Sequence, residues 1–154
     1  MKTSSLALAS LVAAGVAVLA WTALSPASEP EAAGHSMTPP DTSQVAQGDA
    51  IVQVALPAQL SPEAEMGKRA FEAKCAACHG QNAAGQNGVA PPLVHKIYEP
   101  NHHGDDAFLR AAKTGVQSHH WNFGNMPPIQ GLTDGDVKYI ARYVRELQKE
   151  NGIF

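Results

Sequence analysis

The chain has 154 residues, of which 44% are hydrophobic and 16% charged, with a formal charge of −3. That length leaves room for one compact domain. From residue 61 to the end, ten Lys/Arg balance ten Asp/Glu, so no basic patch points to nucleic acid.

Lys2 gives the amino terminus a positive start, and residues 6–24 (LALASLVAAGVAVLAWTAL) are 19 residues without a charge. As a helix this run is about 28 Å long, close to the thickness of a bilayer's hydrocarbon layer. Residues 1–24 are therefore read as a membrane anchor or a cleaved signal. Trp21 suits an interfacial position, and Ser25-Pro26-Ala27 is a passable cleavage site. Either way the remainder is exported, and the expected location is the bacterial periplasm. Residues 25–60 hold five prolines among Ser, Ala, Gly, Gln and four acids, with no base. This composition predicts a flexible linker, with Ile51–Leu56 a short extended piece resting on the folded domain.

Residues 61–154 read as that folded domain. Ser61-Pro62-Glu63 starts a helix with a capping serine, a first-turn proline and acids at the positive dipole end. It should run to about Cys75 with Met66, Ala70, Phe71 and Lys74 at helical spacing, Met66 being read as core packing. Residues 80–104 are loop. Asp105–Gly115 is a short helix with an acid cap, a glycine stop, and Phe108, Leu109 and Ala112 inward. Thr133-Asp134-Gly135-Asp136 resembles a capping box for the last helix, whose stripe is Val137, Ile140, Ala141, Val144 and Leu147. No segment alternates as a strand, so the fold class is all-α with long loops. Three or four short helices bury little core alone, and a large apolar cofactor would supply the missing centre.

The only two cysteines stand in "KCAACHG", residues 74–80. A Cys75–Cys78 disulfide would close a very short loop, stabilise little and leave His79 unexplained. A structural zinc site needs a second ligand pair, and no second cysteine pair exists. Cys-x-x-Cys-His is the attachment signature of haem c: the two thiols reach the vinyl groups as thioethers, and His79 faces the iron.

Residues 61–154 at this point resemble the class I cytochrome c family. Gly67 and Phe71, eight and four residues before Cys75, match the positions where that family's first helix crosses its last, and Ile140 and Tyr143 match the opposing pair. Pro91-Pro92-Leu93 matches a Pro-x-Leu whose first carbonyl accepts the proximal imidazole N–H. The resemblance implies a cytochrome c fold around one covalent haem.

For the sixth iron ligand, Met126 stands 47 residues after His79 in "GNMPP", in a loop stiffened by two prolines. This setting resembles that of the family's axial methionine; an imidazole from His119 or His120, or an open position, is the alternative. His/Met ligation leaves no open site and raises the reduction potential, which describes a single-electron carrier and not an enzyme. An open position would instead suit a haem sensor or peroxidase. Tyr98 and Trp121 are candidates for the haem pocket, each with one polar donor on an apolar body.

Five histidines, His95, His102, His103, His119 and His120, lie within 26 residues. They read as loop residues near haem propionates, or as a second metal site for copper or zinc built from the pairs 102–103 and 119–120. The latter would make this a metal-handling protein with haem as relay. The expected partners are redox proteins (an oxidase, reductase or dehydrogenase), the membrane through residues 6–24 if uncleaved, and no nucleic acid. A fixed place in a larger respiratory complex is a further possibility.

Overall fold

A computed structural model describes residues 38–154. The expected anchor at residues 6–24 lies outside the described residues, and among those described no helix is long and apolar enough to cross a membrane. Among the described residues four α-helices succeed one another: α1 (Pro62–Lys74), α2 (Ala76–His79), α3 (Asp105–Thr114) and α4 (Asp134–Glu150). Two 3₁₀ turns, Gln81–Ala83 and Lys96–Tyr98, punctuate the loop after α2. The expected all-α class holds: among the described residues there are no strands, only the isolated bridges Gln86–Ala90 and Val116–Met126.

α1 begins where its sequence says it should. Ser61 Oγ accepts the Ala64 N–H at 3.2 Å and donates to Glu146 Oε1 at 2.7 Å, while Ser61 N–H donates to Glu146 Oε2 at 3.0 Å. One residue thus caps α1 and fastens it to α4. α4 carries the predicted capping box: Thr133 Oγ1 accepts from Asp136 N–H, and Thr133 N–H donates to Asp136 Oδ2. Its stripe of Val137, Ile140, Ala141, Val144 and Leu147 is buried, together with Tyr143.

The core lies where α1 crosses α4. A Cβ on Gly67 would stand 1.8 Å from the Tyr139 carbonyl oxygen and 3.0 Å from Ile140 N, so only glycine permits this approach. Four residues on, the wholly buried Phe71 ring meets Tyr143 at 5.6 Å between centroids, tilted by 57°. Burying such a ring contributes about 2–3 kcal/mol, and the tilted aromatic pair somewhat more. Ala64, Ala83, Val94, Ile140, Val144 and Leu147 complete the cluster.

Three expectations are corrected. Met66 is 37% exposed, because the buried face of α1 is Ala64, Gly67 and Phe71 and Met66 points past it. Gly104, not an acid, occupies the cap of α3; Asp105 and Asp106 lie inside its first turn, and Phe108 and Leu109 remain half-exposed while Ala112 is buried. Residues 51–56 rest on the domain as expected, but residues 38–50, expected as free spacer, also lie along it. Gly48 N–H donates to Asn87 O and Asn87 N–H to Asp49 O; the Asn87 side chain donates to Val45 O at 2.7 Å, and Ile51 N–H donates to Ala84 O. Near the end of this segment Asn151 clamps Ala55 from both sides, its Oδ1 accepting from Ala55 N–H and its Nδ2 donating to Ala55 O, each at 2.9 Å. Val54 and Leu60 pack on the core.

Candidate functional site

α1 delivers Cys75 to the surface of the core, and the chain turns at once into α2. Cys75 N–H donates to Phe71 O, and both Cys78 N–H and His79 N–H donate to Cys75 O, at 3.1 and 2.8 Å. Cysteines three apart on one helical turn share a face. Both are free thiols, Cys75 half-buried and Cys78 exposed. Burial, then the neighbouring Cys78, pushes the Cys75 thiol up to about 11. It is therefore protonated at neutral pH, unlike the activated thiolate of a redox CxxC pair. Gln86 Nε2 donates to the carbonyls of Ala76 and Ala77, holding the turn's shape.

The loop beyond α2 folds back beneath it: Gly85 N–H donates to His79 O and Leu93 N–H to Ala83 O. This return brings Pro91 to His79, whose Nδ1–H donates to the Pro91 carbonyl at 2.9 Å. Burial lowers the imidazole's pKa against the opposing pull of that bond, so the ring is neutral at neutral pH. With the proton fixed on Nδ1, the Nε2 lone pair is free to bind a metal.

Met126 is held by the end of α3. Val116 and Met126 exchange backbone hydrogen bonds at 2.9 and 3.0 Å, and Ile129 N–H donates to Ala112 O. The pairing needs Gly115, whose φ of 75° ends the helix and whose Cβ, if present, would lie 2.4 Å from Met126 O. Pro127 and Pro128 then fix the exit, leaving the half-buried Met126 on a stiff loop.

Trp121 is 6% exposed, and its indole Nε1 is the buried side-chain polar atom left without a hydrogen bond among the described residues. Leaving such a donor unpaired costs about 1–3 kcal/mol. Its ring stacks on Phe123 at 5.6 Å and meets His95 edge-on at 5.5 Å. Burial raises the phenol of Tyr98 above its ordinary range. The donor set fits a covalent haem: two thiols on one turn, an imidazole with a free Nε2, a stiffly held thioether, half-exposed apolar residues such as Phe108 and Leu109, and an indole N–H that lacks an acceptor.

The histidines divide. His95 Nδ1 accepts the Ile97 N–H and caps the 3₁₀ turn. The two pairs, 102–103 and 119–120, converge from separate loops: His102 Nε2 lies 3.2 Å from His120 Nε2, and the rings of His119 and His120 are 4.4 Å apart. His103 Nδ1–H donates to Ile97 O at 2.7 Å and His119 Nδ1–H to Gln117 O at 2.8 Å. Burial first, then the neighbouring imidazoles, lowers the pKa of His103 and His120.

Sequence reasoning passed over Arg145, which organises this region. Its guanidinium donates to Tyr98 O and Gln148 Oε1, at 2.7 and 2.6 Å, and to Asp105 Oδ1 at 2.8 Å and His103 O, and lies 5.1 Å above the Phe108 ring. The fully buried Gln148 adds bonds to Leu93 O and Tyr98 O. The signal available was a planar five-donor side chain placed next to the apolar stripe of α4, where a lysine or glutamate would suffice for solubility.

Known proteins match the folded part of the chain in sequence. The family described as Cytochrome c matches residues 64–148. A cbb3-type cytochrome c oxidase subunit CcoP of Azospirillum brasilense is 38% identical over 92 residues, covering 54% of this chain and 28% of that protein. The subunit of the same name from Rubrivivax gelatinosus is 36% identical over 84 residues, covering 53% of this chain and 25% of its own. The chain thus spans about a quarter of the length of these relatives.

Proposed function

We propose that this chain, which belongs to the cytochrome c family, is a single-electron carrier of an extracytoplasmic respiratory chain. Haem c is the family's cofactor; when bound it supplies an iron that exchanges one electron between Fe(III) and Fe(II). Cys75 and Cys78 would hold it by thioethers, and His79 Nε2 and the Met126 thioether would occupy the two axial positions. The observation that carries the assignment is the His79–Pro91 bond at 2.9 Å, which fixes the imidazole's tautomer and aim immediately behind the two thiols. When bound, a haem iron held by both the His79 imidazole and the soft Met126 thioether would favour Fe(II) and would leave no position for a substrate. Trp121 N–H and the Tyr98 hydroxyl would stand as donors toward the propionates.

Residues 6–24 would export the chain and, uncleaved, anchor it on the periplasmic face of the membrane. The relatives are subunits of cbb3-type oxidases, and an oxidase is the acceptor class this carrier would serve. The test is optical. Haem-loaded protein should show a methionine-to-iron charge-transfer band at the red end of the oxidised spectrum, and after reduction should be inert to carbon monoxide. Ready uptake of carbon monoxide by the reduced form would remove the carrier assignment in favour of a sensor or peroxidase.

A further inference from the structure

His102, His103 and His120 come from two loops, yet one ligand nitrogen from each falls within 4.8 Å of the other two. Two imidazole nitrogens bound to one tetrahedral zinc ion, each at about 2.0–2.1 Å, lie roughly 3.3 Å apart. His102 Nε2 and His120 Nε2 are 3.2 Å apart in the protein. The third ligand nitrogen, on His103, lies no more than 4.8 Å from either, within about 1.5 Å of that tetrahedral spacing. His103 is also prepared as a ligand: its Nδ1–H is engaged by the Ile97 carbonyl, which leaves Nε2 as the lone-pair nitrogen. A carbonyl behind an imidazole is the arrangement that orients metal-bound histidines.

We propose that His102, His103 and His120 form a second metal site for a borderline divalent ion, zinc being the best geometric match, with the fourth position open to water. The three residues are not among those that would ligate the haem iron under the proposed function, so the site does not depend on the electron-carrier assignment. All three donors are imidazoles, so hard oxygen-seeking ions such as Mg²⁺ are excluded. His103's backbone is held by Arg145, and the other loop is pinned by Ser118, whose N–H donates to Asn125 Oδ1 at 2.9 Å and whose hydroxyl donates to Trp121 O. Part of the ordering cost of bringing the two loops together is therefore met before any ion arrives. His119, stacked against His103 at 6.0 Å, is assigned no ligand role.

The experiment titrates haem-loaded protein with Zn²⁺ against a chromogenic chelator, with X-ray absorption at the zinc edge on the loaded sample. The expected result is one zinc per chain bound through three imidazole nitrogens, undisturbed by millimolar Mg²⁺. His102→Ala and His120→Ala should each weaken binding by a hundredfold or more, while His119→Ala changes it less than threefold. An unaltered haem spectrum and denaturation midpoint in each variant show that the fold survives. Stoichiometric binding that persists in the double variant His102→Ala/His120→Ala, or the absence of binding by the unaltered protein, overturns the proposal. So does a loss in His119→Ala as large as in His102→Ala.

Discussion

Gly67→Ala sets two physical effects of opposite sign against each other. On helix propensity alone, alanine in the middle of α1 would stabilise the protein by about 1 kcal/mol. The new methyl, however, would stand 1.8 Å from the Tyr139 carbonyl oxygen and 2.4 Å from its carbon. Ordinary contact begins near 3.4 Å, so α1 and α4 must part by about 1.6 Å at their crossing. A gap of even 0.5–1 Å forfeits roughly a quarter to a half of the dispersion well for the atoms that line it. Phe71, Ile140 and Tyr143 line this one, each worth about 2–3 kcal/mol when buried. Losing half of that contribution costs about 4 kcal/mol, and the net destabilisation is about 3 kcal/mol after the propensity gain. For a domain near 100 residues that lowers Tm by roughly 12–24 °C. Thermal unfolding of haem-loaded protein, followed by far-ultraviolet circular dichroism, measures it. An unchanged or raised midpoint would refute the close-crossing argument, as would rescue by Tyr139→Ala, since the colliding atoms belong to the backbone of residue 139.

Replacing Met126 with alanine should abolish the red charge-transfer band, let the reduced protein take up carbon monoxide, and lower the potential by something on the order of 100 mV, within the roughly 0.8 V that axial ligands command. Redox titration with optical detection checks it. Arg145→Ala removes a half-buried cation from four partners and should destabilise by about 3 kcal/mol, little of it through the exposed Asp105. Arg145→Lys should recover only a minor part, because one ammonium cannot span Tyr98 O, Gln148 and His103 O; urea midpoints decide. Glu146 gives a pH signature. Burial alone would raise its carboxyl, but the Ser61 N–H and hydroxyl and then Arg142 outweigh this and hold it below its ordinary 4.5. A depressed folded-state pKa contributes stability that is present above about pH 4.5 and is lost as pH falls through the folded value. Glu146→Gln should therefore cost about 1–2 kcal/mol at pH 7, and the stabilities of the two proteins should converge as pH falls through the folded-state value of Glu146.

Much of the frame was legible because it rests on local, periodic chemistry. The apolar stripe and capping box of α4 and the Ser61-Pro62 start of α1 announce themselves within a few residues. The CxxCH turn and Pro91 were readable too, since motif spacing records a geometry that the backbone must satisfy. Residues 51–56 were legible as an apolar piece resting on the domain, but residues 38–50 escaped because what holds them is polar and distant in sequence. Asn87 bonds to a backbone group some 40 residues away, and such ties leave no trace in composition or periodicity. Met66 was misplaced for a subtler reason. At half a turn's resolution the stripe of α1 admits it, and only the tight Gly67 crossing decides which side faces α4. The convergence of the two histidine pairs depends on how two irregular loops close, and Arg145 becomes visible as their organiser only once four unrelated partners meet around one guanidinium.

That guanidinium has a thermodynamic implication. It grips the carbonyl of Tyr98 on one side and the carbonyl of His103 on the other, so a rearrangement of either loop is felt by both. Linkage then runs both ways: if loading the imidazole trio with an ion displaced the midpoint potential by 59 mV, the oxidised and reduced proteins would differ about tenfold in their hold on that ion. Each electron passing through would then alter the protein's grip on a bound cation, and the free concentration of that cation would set how readily the electron leaves.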